Sequence, residues 1–150
     1  MKKFSFLFSF LLLFFTACNS TQSSSNEVKN ETKICPQCNM EVGKSSEYSS
    51  SLSTNGKTYY FDDIGCMILW ANEHEIKKAK MNVFSKDTLR FIDVKNANYT
   101  IGETTPMSYG FCAYENKKKI QITFEEVNVK MLRGENMTNP KIRKQILGNK

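Results

Sequence analysis

The chain has 150 residues, a length that fits one folded domain. Its formal charge is +6, from 21 basic and 15 acidic residues, and the surplus lies in clusters without interleaved aromatic side chains. The pattern predicts a solvated face and argues against a nucleic-acid groove, with an anionic membrane surface or an acidic partner as alternatives. The clusters are residues 117–119 and the C-terminal Lys141, Arg143, Lys144 and Lys150.

Residues 1–17 have the pattern of a secretory signal peptide. Two lysines precede an apolar run, residues 4–15, that is too short to span a bilayer. Ala17-Cys18 follows, and a small residue before a cysteine that opens a polar tract resembles the lipobox of bacterial lipoproteins. We expect cleavage before Cys18 and lipidation of that residue. A plain signal peptide with a coincidental cysteine is the alternative.

The next segment, residues 18–33, is too polar to build a core, so we expect a lipidated flexible tether with a reach of about 20 Å. The folded domain is predicted over residues 34–134, followed by a loosely ordered C-terminal tail at 135–150. A lipid anchor at Cys18 would hold the protein in the cell envelope, at a membrane and facing the periplasm.

A hairpin and a helix open the predicted domain. Asn55-Gly56 is the preferred pair for a tight hairpin turn, so residues 47–54 and 57–62 are predicted to form a β-hairpin. An acidic cap at Asp62 or Asp63 then begins a helix that runs to about residue 79. The apolar positions at helical spacing are Ile64, Met67, Ile68 and Ala71.

Short extended segments make up most of the remaining domain. The predicted strands are residues 82–85, 88–94, 99–101, 109–114 and 120–124, with a helical turn or two at 125–133. One clear helix beside a small mixed or antiparallel sheet places the fold in the α+β class.

Three sulfur atoms lie within six residues, at Cys35, Cys38 and Met40. The Cys-x-x-Cys spacing lets both thiols face one point, and three interpretations stay open: a disulfide, a redox pair or a metal site. A redox pair of the thioredoxin type lacks its strand-to-helix setting here. Met40 favours the metal site, because a thioether is a good ligand for Cu(I) and adds little to Zn²⁺.

The other candidate ligands carry weaker signals. A structural zinc site would want four Cys or His ligands, but Cys66, Cys112 and His74 do not repeat the paired spacing. Both cysteines are interpreted as core residues and His74, between two glutamates, as solvated. Met107 follows Pro106 in a polar loop, where it is either a ligand delivered from across the fold or a hydrophobic anchor.

Three stretches together resemble motifs of the NosL family, copper-binding lipoproteins that assist maturation of nitrous-oxide reductase. They are Cys-Pro-Gln-Cys-Asn-Met at residues 35–40, Tyr-Phe-Asp-Asp-Ile-Gly-Cys-Met at 60–67 and Thr-Pro-Met-Ser-Tyr-Gly-Phe at 105–111. The stretches occur in the family's order, and the resemblance covers about residues 34–124. It implies two related ββαβ halves, the second trimmed because residues 115–119 are too few and too charged for a helix.

The resemblance also implies a site and a function. One Cu(I) ion per monomer would be bound by Cys38, Met40 and Met107, and Cys35 matches the first cysteine of the motif. The partner would be nitrous-oxide reductase or its assembly factors, with the membrane contacted through the lipid anchor. We expect no enzymatic activity, since His74 is the only histidine and no nucleophile has a plausible base.

Two alternatives to copper carriage stay open on the sequence. One is a partner-binding lipoprotein whose Cys35 and Cys38 form a structural disulfide or a zinc knuckle. The other is a thiol reductant that keeps the copper ligands of a partner reduced, which would need a cysteine of depressed pKa.

Overall fold

The computed structural model describes residues 33–43 and 47–148. The predicted signal peptide, Cys18 and nearly all of the tether lie outside these residues. Within them, three helices and small antiparallel sheets form an α+β fold, which confirms the predicted class. The helices are α1 (Ile64–Glu73), α2 (Phe124–Leu132) and α3 (Pro140–Gly148). Nowhere in the described ranges is a helix both long and apolar enough to cross a membrane.

Within the described residues, eight strands form three separate antiparallel sheets. The largest has four strands in the order β4-β3-β5-β6, while β1 pairs with β2 and β7 pairs with β8. The strands are β1 (Lys33–Ile34), β2 (Glu41–Val42), β3 (Ser50–Thr54), β4 (Lys57–Phe61), β5 (Lys80–Ser85), β6 (Arg90–Asp93), β7 (Asn98–Ile101) and β8 (Phe111–Tyr114).

The predicted hairpin is confirmed as β3 and β4. Thr54 pairs with Lys57 across the turn, and the two residues between them have positive φ, 49° at Asn55 and 73° at Gly56. Two consecutive left-handed residues match the twist of the flanking strands, and asparagine and glycine adopt this conformation with little strain. This hairpin delivers the chain to the start of α1.

The helix α1 begins where the sequence predicts and ends earlier. Asp63 caps it, because its side chain accepts a hydrogen bond from the Gly65 amide at 2.9 Å. The prediction of a helix to about residue 79 is wrong: α1 ends at Glu73. The reason is that Glu75 takes a left-handed φ of 51° and the Ile76 amide turns back to the Ala71 carbonyl.

The predicted strand at residues 120–124 is also wrong. Only Ile122 pairs, through an isolated bridge to Tyr99. Thr123 then caps α2 in a capping box with Glu126, which diverts the chain into a helix. The helical turn or two expected at 125–133 is the helix α2.

The core lies between the four-stranded sheet, α1 and α2. The helix α1 packs on β3 and β4, and α2 packs against α1 and β7. The largest fully buried side chains include Leu52, Phe61, Met67, Tyr99, Phe111 and Val127. A ββαβ unit runs from β3 to β5, whereas β7, β8 and α2 have no closing strand in the part of the chain that is described. The C-terminal segment, expected as a loose tail, contains α3 and buries Asn136 and Met137.

Candidate metal centre

The Cys-x-x-Cys segment is a tight loop between the short strands β1 and β2. The Cys35 amide donates to the Met40 carbonyl at 2.8 Å, and the Asn39 amide donates to the Cys35 carbonyl at 2.9 Å. Asn39 completes the loop with a left-handed φ of 61°, a conformation that asparagine tolerates better than most residues. The loop closes the chain on itself, so that both thiols turn to the same side.

Four donor atoms converge on that side, all within 4.8 Å of one another. They are the Sγ atoms of Cys35, Cys38 and Cys66 and a carboxylate oxygen of Asp62. Cys35 and Cys66 are 0% exposed and Asp62 is 2% exposed, whereas Cys38 is half-buried. We call these four residues the thiol cluster. All three of its cysteines are free thiols.

The turn from β4 into α1 supplies two members of the thiol cluster. Asp62 follows the last residue of β4 and precedes the cap of α1, and Cys66 lies in the first turn of that helix; their donor atoms meet on the same side. The Cys38 thiol donates to Asp62 Oδ1 at 3.1 Å, which joins the loop to the helix start. Asp62 Oδ2 is buried and has no hydrogen-bond partner among the described residues. A buried carboxylate oxygen without a donor fits a site that is completed by a cation.

The thiols of the cluster differ in their protonation. A hydrogen bond from the Cys66 thiol stabilises the Cys35 thiolate and lowers the pKa of Cys35 to about 6. The same hydrogen bond, together with burial, raises the pKa of Cys66. Burial raises the pKa of Cys38 to about 12. Of the three thiols, Cys35 is therefore the one whose anionic form its surroundings favour.

The Thr-Pro-Met loop is fastened beside the thiol cluster. The Met107 amide donates to Asp63 Oδ2 at 3.4 Å, and the Thr105 hydroxyl also bonds to this carboxylate. Burial raises the pKa of Asp63 to about 6 in spite of these bonds. Thr105 Oγ1 in turn accepts a hydrogen bond from the Gly110 amide at 3.2 Å, which holds the loop in shape. The backbone of Met107 is thus tied to the residue that follows Asp62.

The structure describes every predicted site residue except Cys18. Cys35 and Cys38 belong to the thiol cluster. Met40 lies on the same loop with 44% of its surface exposed, and Met107 is half-buried with its side chain packed against the core. His74 stacks on the Trp70 ring at 4.2 Å, and its Nδ1 lies 2.9 Å from the Trp70 carbonyl.

Two members of the thiol cluster are not among the predicted ligands. The sequence predicts Cys66 as a core residue and Asp62 as a helix cap. Cys66 is indeed fully buried, but its sulfur faces the other thiols. The available signal was the presence of two potential ligands, Asp62 and Cys66, four residues apart at a predicted strand-to-helix turn. Cys112, interpreted in the same way, is buried and outside the cluster.

The donor set of the thiol cluster selects a narrow class of ions. Thiolates bind Cu(I) and Zn²⁺ well, whereas Ca²⁺ and Mg²⁺ require several oxygen ligands. Three thiolates and a carboxylate around Zn²⁺ carry a net charge of about −2, as four thiolates do in a common structural zinc site. Around Cu(I) the same four ligands would carry about −3, and this soft ion of low coordination number prefers the sulfur atoms to the carboxylate oxygen. The arrangement is a candidate site for a thiophilic metal ion.

Comparisons with known proteins identify no relative of this chain. No family model, no curated protein and no solved structure gives a significant match to the chain. The candidate metal centre is therefore defined by the geometry of the chain itself, and the resemblance of its three motifs to the NosL family carries only a proposal.

Proposed function

We propose that this protein binds one Cu(I) ion and delivers it to a partner protein. The observation that carries the proposal is the convergence of three thiols and one carboxylate oxygen within 4.8 Å. Soft sulfur donors at low coordination number suit Cu(I), and they suit oxygen-seeking cations poorly.

An open side of the site supports delivery rather than storage. Cys38 is half-buried and Met40 is 44% exposed, so the loop between β1 and β2 leaves this side of the site at the surface. A partner's ligand can approach the ion there and exchange for one of the protein's sulfurs. A closed structural site with every ligand buried would not allow this.

The client and the location follow from the sequence resemblances. The NosL-like motifs at residues 35–40, 60–67 and 105–111 nominate nitrous-oxide reductase or its assembly factors as the partner. The lipobox-like Cys18 nominates a lipid anchor that holds the domain at a membrane, facing the periplasm. In this role the protein is a carrier without enzymatic activity.

Anaerobic titration of the full chain with Cu(I) against a competing chelator tests the proposal. We expect one tight site per monomer, with affinity lowered at least about tenfold in Cys38→Ala, because a thiol ligand is lost. Cys112→Ala is the matched control, since Cys112 is a buried cysteine outside the thiol cluster. Failure of the unmodified protein to compete for Cu(I) would reject copper carriage.

A structural zinc site is the second candidate, and one observation favours it. Asp62 adds a buried fourth donor to three thiols, which completes the tetrahedral set that Zn²⁺ prefers. Metal analysis after purification under reducing conditions separates the candidates. Stoichiometric zinc whose removal by a chelator unfolds the domain would favour the structural site, whereas a domain that stays folded without metal and takes up Cu(I) favours the carrier.

A further inference from the structure

We propose that the three cysteines of the thiol cluster, Cys35, Cys38 and Cys66, are the equilibrium ligands of the copper ion. Met40 is the surface ligand that binds the ion transiently as it enters and leaves. This assignment rests on the proposed copper-binding function and refines it. It differs from the ligand set that the NosL resemblance implies, which is Cys38, Met40 and Met107.

The exposed fraction of the four sulfur-containing residues increases from the interior of the domain to its surface. Cys35 and Cys66 are 0% exposed, Cys38 is half-buried, and Met40 is 44% exposed on the same loop. The three thiol sulfurs lie within 4.8 Å of one another without any rearrangement. Three thiolates can therefore surround one ion on the buried side of the loop, and Met40 lies two residues after Cys38 on the exposed part of the same loop.

The difference between thiolate and thioether sulfur determines which residues hold the ion at equilibrium. A thiolate is anionic and attracts Cu(I) more strongly than a neutral thioether, so at equilibrium the ion occupies the thiols. A thioether binds Cu(I) without releasing a proton, and the ion dissociates from it readily. When the ion enters, each thiol that binds it releases its proton to solvent. A bond from copper to a cysteine sulfur forms as the bond from copper to the Met40 sulfur breaks. Copper remains Cu(I) throughout, so the transfer needs no oxidant or reductant.

Asp62 supports the thiols as a hydrogen-bond partner and is not a Cu(I) ligand. Its Oδ1 accepts from the Cys38 thiol at 3.1 Å, which fixes the half-buried cysteine beside the two buried ones. Cu(I) is a soft ion that prefers sulfur to carboxylate oxygen, so three sulfur ligands satisfy it without the carboxylate. Asp62 therefore positions the Cys38 thiol before the ion binds, and this hydrogen bond ends when Cys38 loses its proton and bonds to Cu(I).

Selenomethionine substitution of the full chain gives a test that needs no destabilising variant. X-ray absorption at the copper edge is measured on Cu(I)-loaded protein in which methionine sulfur is replaced by selenium. We expect only sulfur neighbours at bonding distance from copper. A copper–selenium neighbour at bonding distance would place a thioether in the resting site and overturn the assignment.

Variants then separate the resting ligands from the exchange ligand. Cys66→Ser should lower the Cu(I) affinity, measured by chelator competition, by at least about tenfold, whereas Cys112→Ser should leave it unchanged. Met40→Leu should leave the affinity within about threefold but slow the transfer of Cu(I) to the chelator by about tenfold. Circular dichroism checks that each variant is folded, and Cys66→Ala replaces Cys66→Ser if the hydroxyl is not tolerated.

The outcomes distinguish this inference from the function on which it rests. Tight Cu(I) binding that is insensitive to Cys66→Ser and lost in Met40→Leu overturns the ligand assignment and leaves copper carriage intact. Met40→Leu with an unchanged transfer rate overturns the exchange role. A protein that binds no Cu(I) at all rejects both the function and the assignment.

Discussion

Two adjacent carboxylates at the start of α1 have different partners. Asp62 faces the thiols of the cluster, whereas Asp63 is fully buried and faces two backbone amides and the Thr105 hydroxyl. Asp63 caps α1 through the Gly65 amide and also accepts from the Met107 amide. One side chain therefore stabilises the helix that carries Cys66 and fastens the loop that carries Met107.

We predict that Asp63→Ala lowers the free energy of unfolding by about 2 kcal/mol, at the upper end of the range for losing a helix cap, because a loop contact is lost too. Asp63→Asn should cost less, since asparagine is an equally good capping residue with one acceptor oxygen. Urea denaturation followed by circular dichroism measures both. Equal losses in the two variants would show that the charge, and not the acceptor geometry, determines the stability.

At the level of elements, the turn between β5 and β6 joins two of the sheets. Asp87 in this turn accepts hydrogen bonds from the Ser85 hydroxyl and from the amides of Glu115 and Asn116, which follow β8. The Lys86 amide also donates to the Ala113 carbonyl at 3.0 Å. The four-stranded sheet and the β7–β8 pair are therefore connected through one loop.

The pH dependence of stability tests this connection. Burial alone would raise the pKa of Asp87, but the hydrogen bonds from Ser85, Glu115 and Asn116 outweigh it and hold the pKa below its usual range. A depressed folded-state pKa contributes stability above the unfolded value of about 3.9, and that contribution is lost as the pH falls further. Asp87→Asn should therefore destabilise the protein by about 1 kcal/mol at pH 7 and by less below pH of about 4.

Denaturation with urea at both pH values measures the Asp87 effect. The control is Lys118→Met, which removes the ion pair between Lys118 Nζ and Asp87 Oδ2 at 3.8 Å and keeps the hydrogen bonds. This partly exposed pair should contribute little, so the control should change stability by less than about 0.5 kcal/mol. A loss for Asp87→Asn that is the same at both pH values would contradict the argument.

For the whole molecule, the contact between α1 and the loop before β8 joins the early and late parts of the chain. A Cβ atom added at Gly65 would lie 2.3 Å from Tyr109 Cδ2 and 2.8 Å from Met131 Cε. Glycine is therefore required by close approach, and not by the backbone angles of the helix. The same contact brings the ring of Tyr109 next to the thiol cluster, where burial raises the pKa of Tyr109 to about 12.

We predict that Gly65→Ala lowers the free energy of unfolding by about 1–3 kcal/mol, as overpacking does in other cores. The gain of about 1 kcal/mol in helix propensity is smaller than this cost, so the net effect is a loss. Thermal unfolding measures it, with Gly43→Ala as the control, because a Cβ atom at Gly43 meets no described atom within 4 Å. A more stable Gly65→Ala variant would mean that Tyr109 moves aside freely.

Local patterns predicted the elements whose determinants are close in sequence. Asn55-Gly56 predicted the hairpin, and Asp63 with the following apolar positions predicted the start of α1. The errors fall where a turn or a helix cap overrides the apolar pattern. The length of α1 depends on the left-handed turn at Glu75, and the expected strand at 120–124 gave way to the cap at Thr123.

The sequence by itself determined that two thiols at Cys35 and Cys38 face one point, because their spacing confines them to one loop. Only the tertiary structure decided that Asp62 and Cys66 join them. These residues lie more than twenty positions away, and they meet the loop only because the β3–β4 hairpin and the first turn of α1 pack beside it. Short-range spacing restricts a few backbone angles, whereas a four-residue metal centre depends on how separate elements pack.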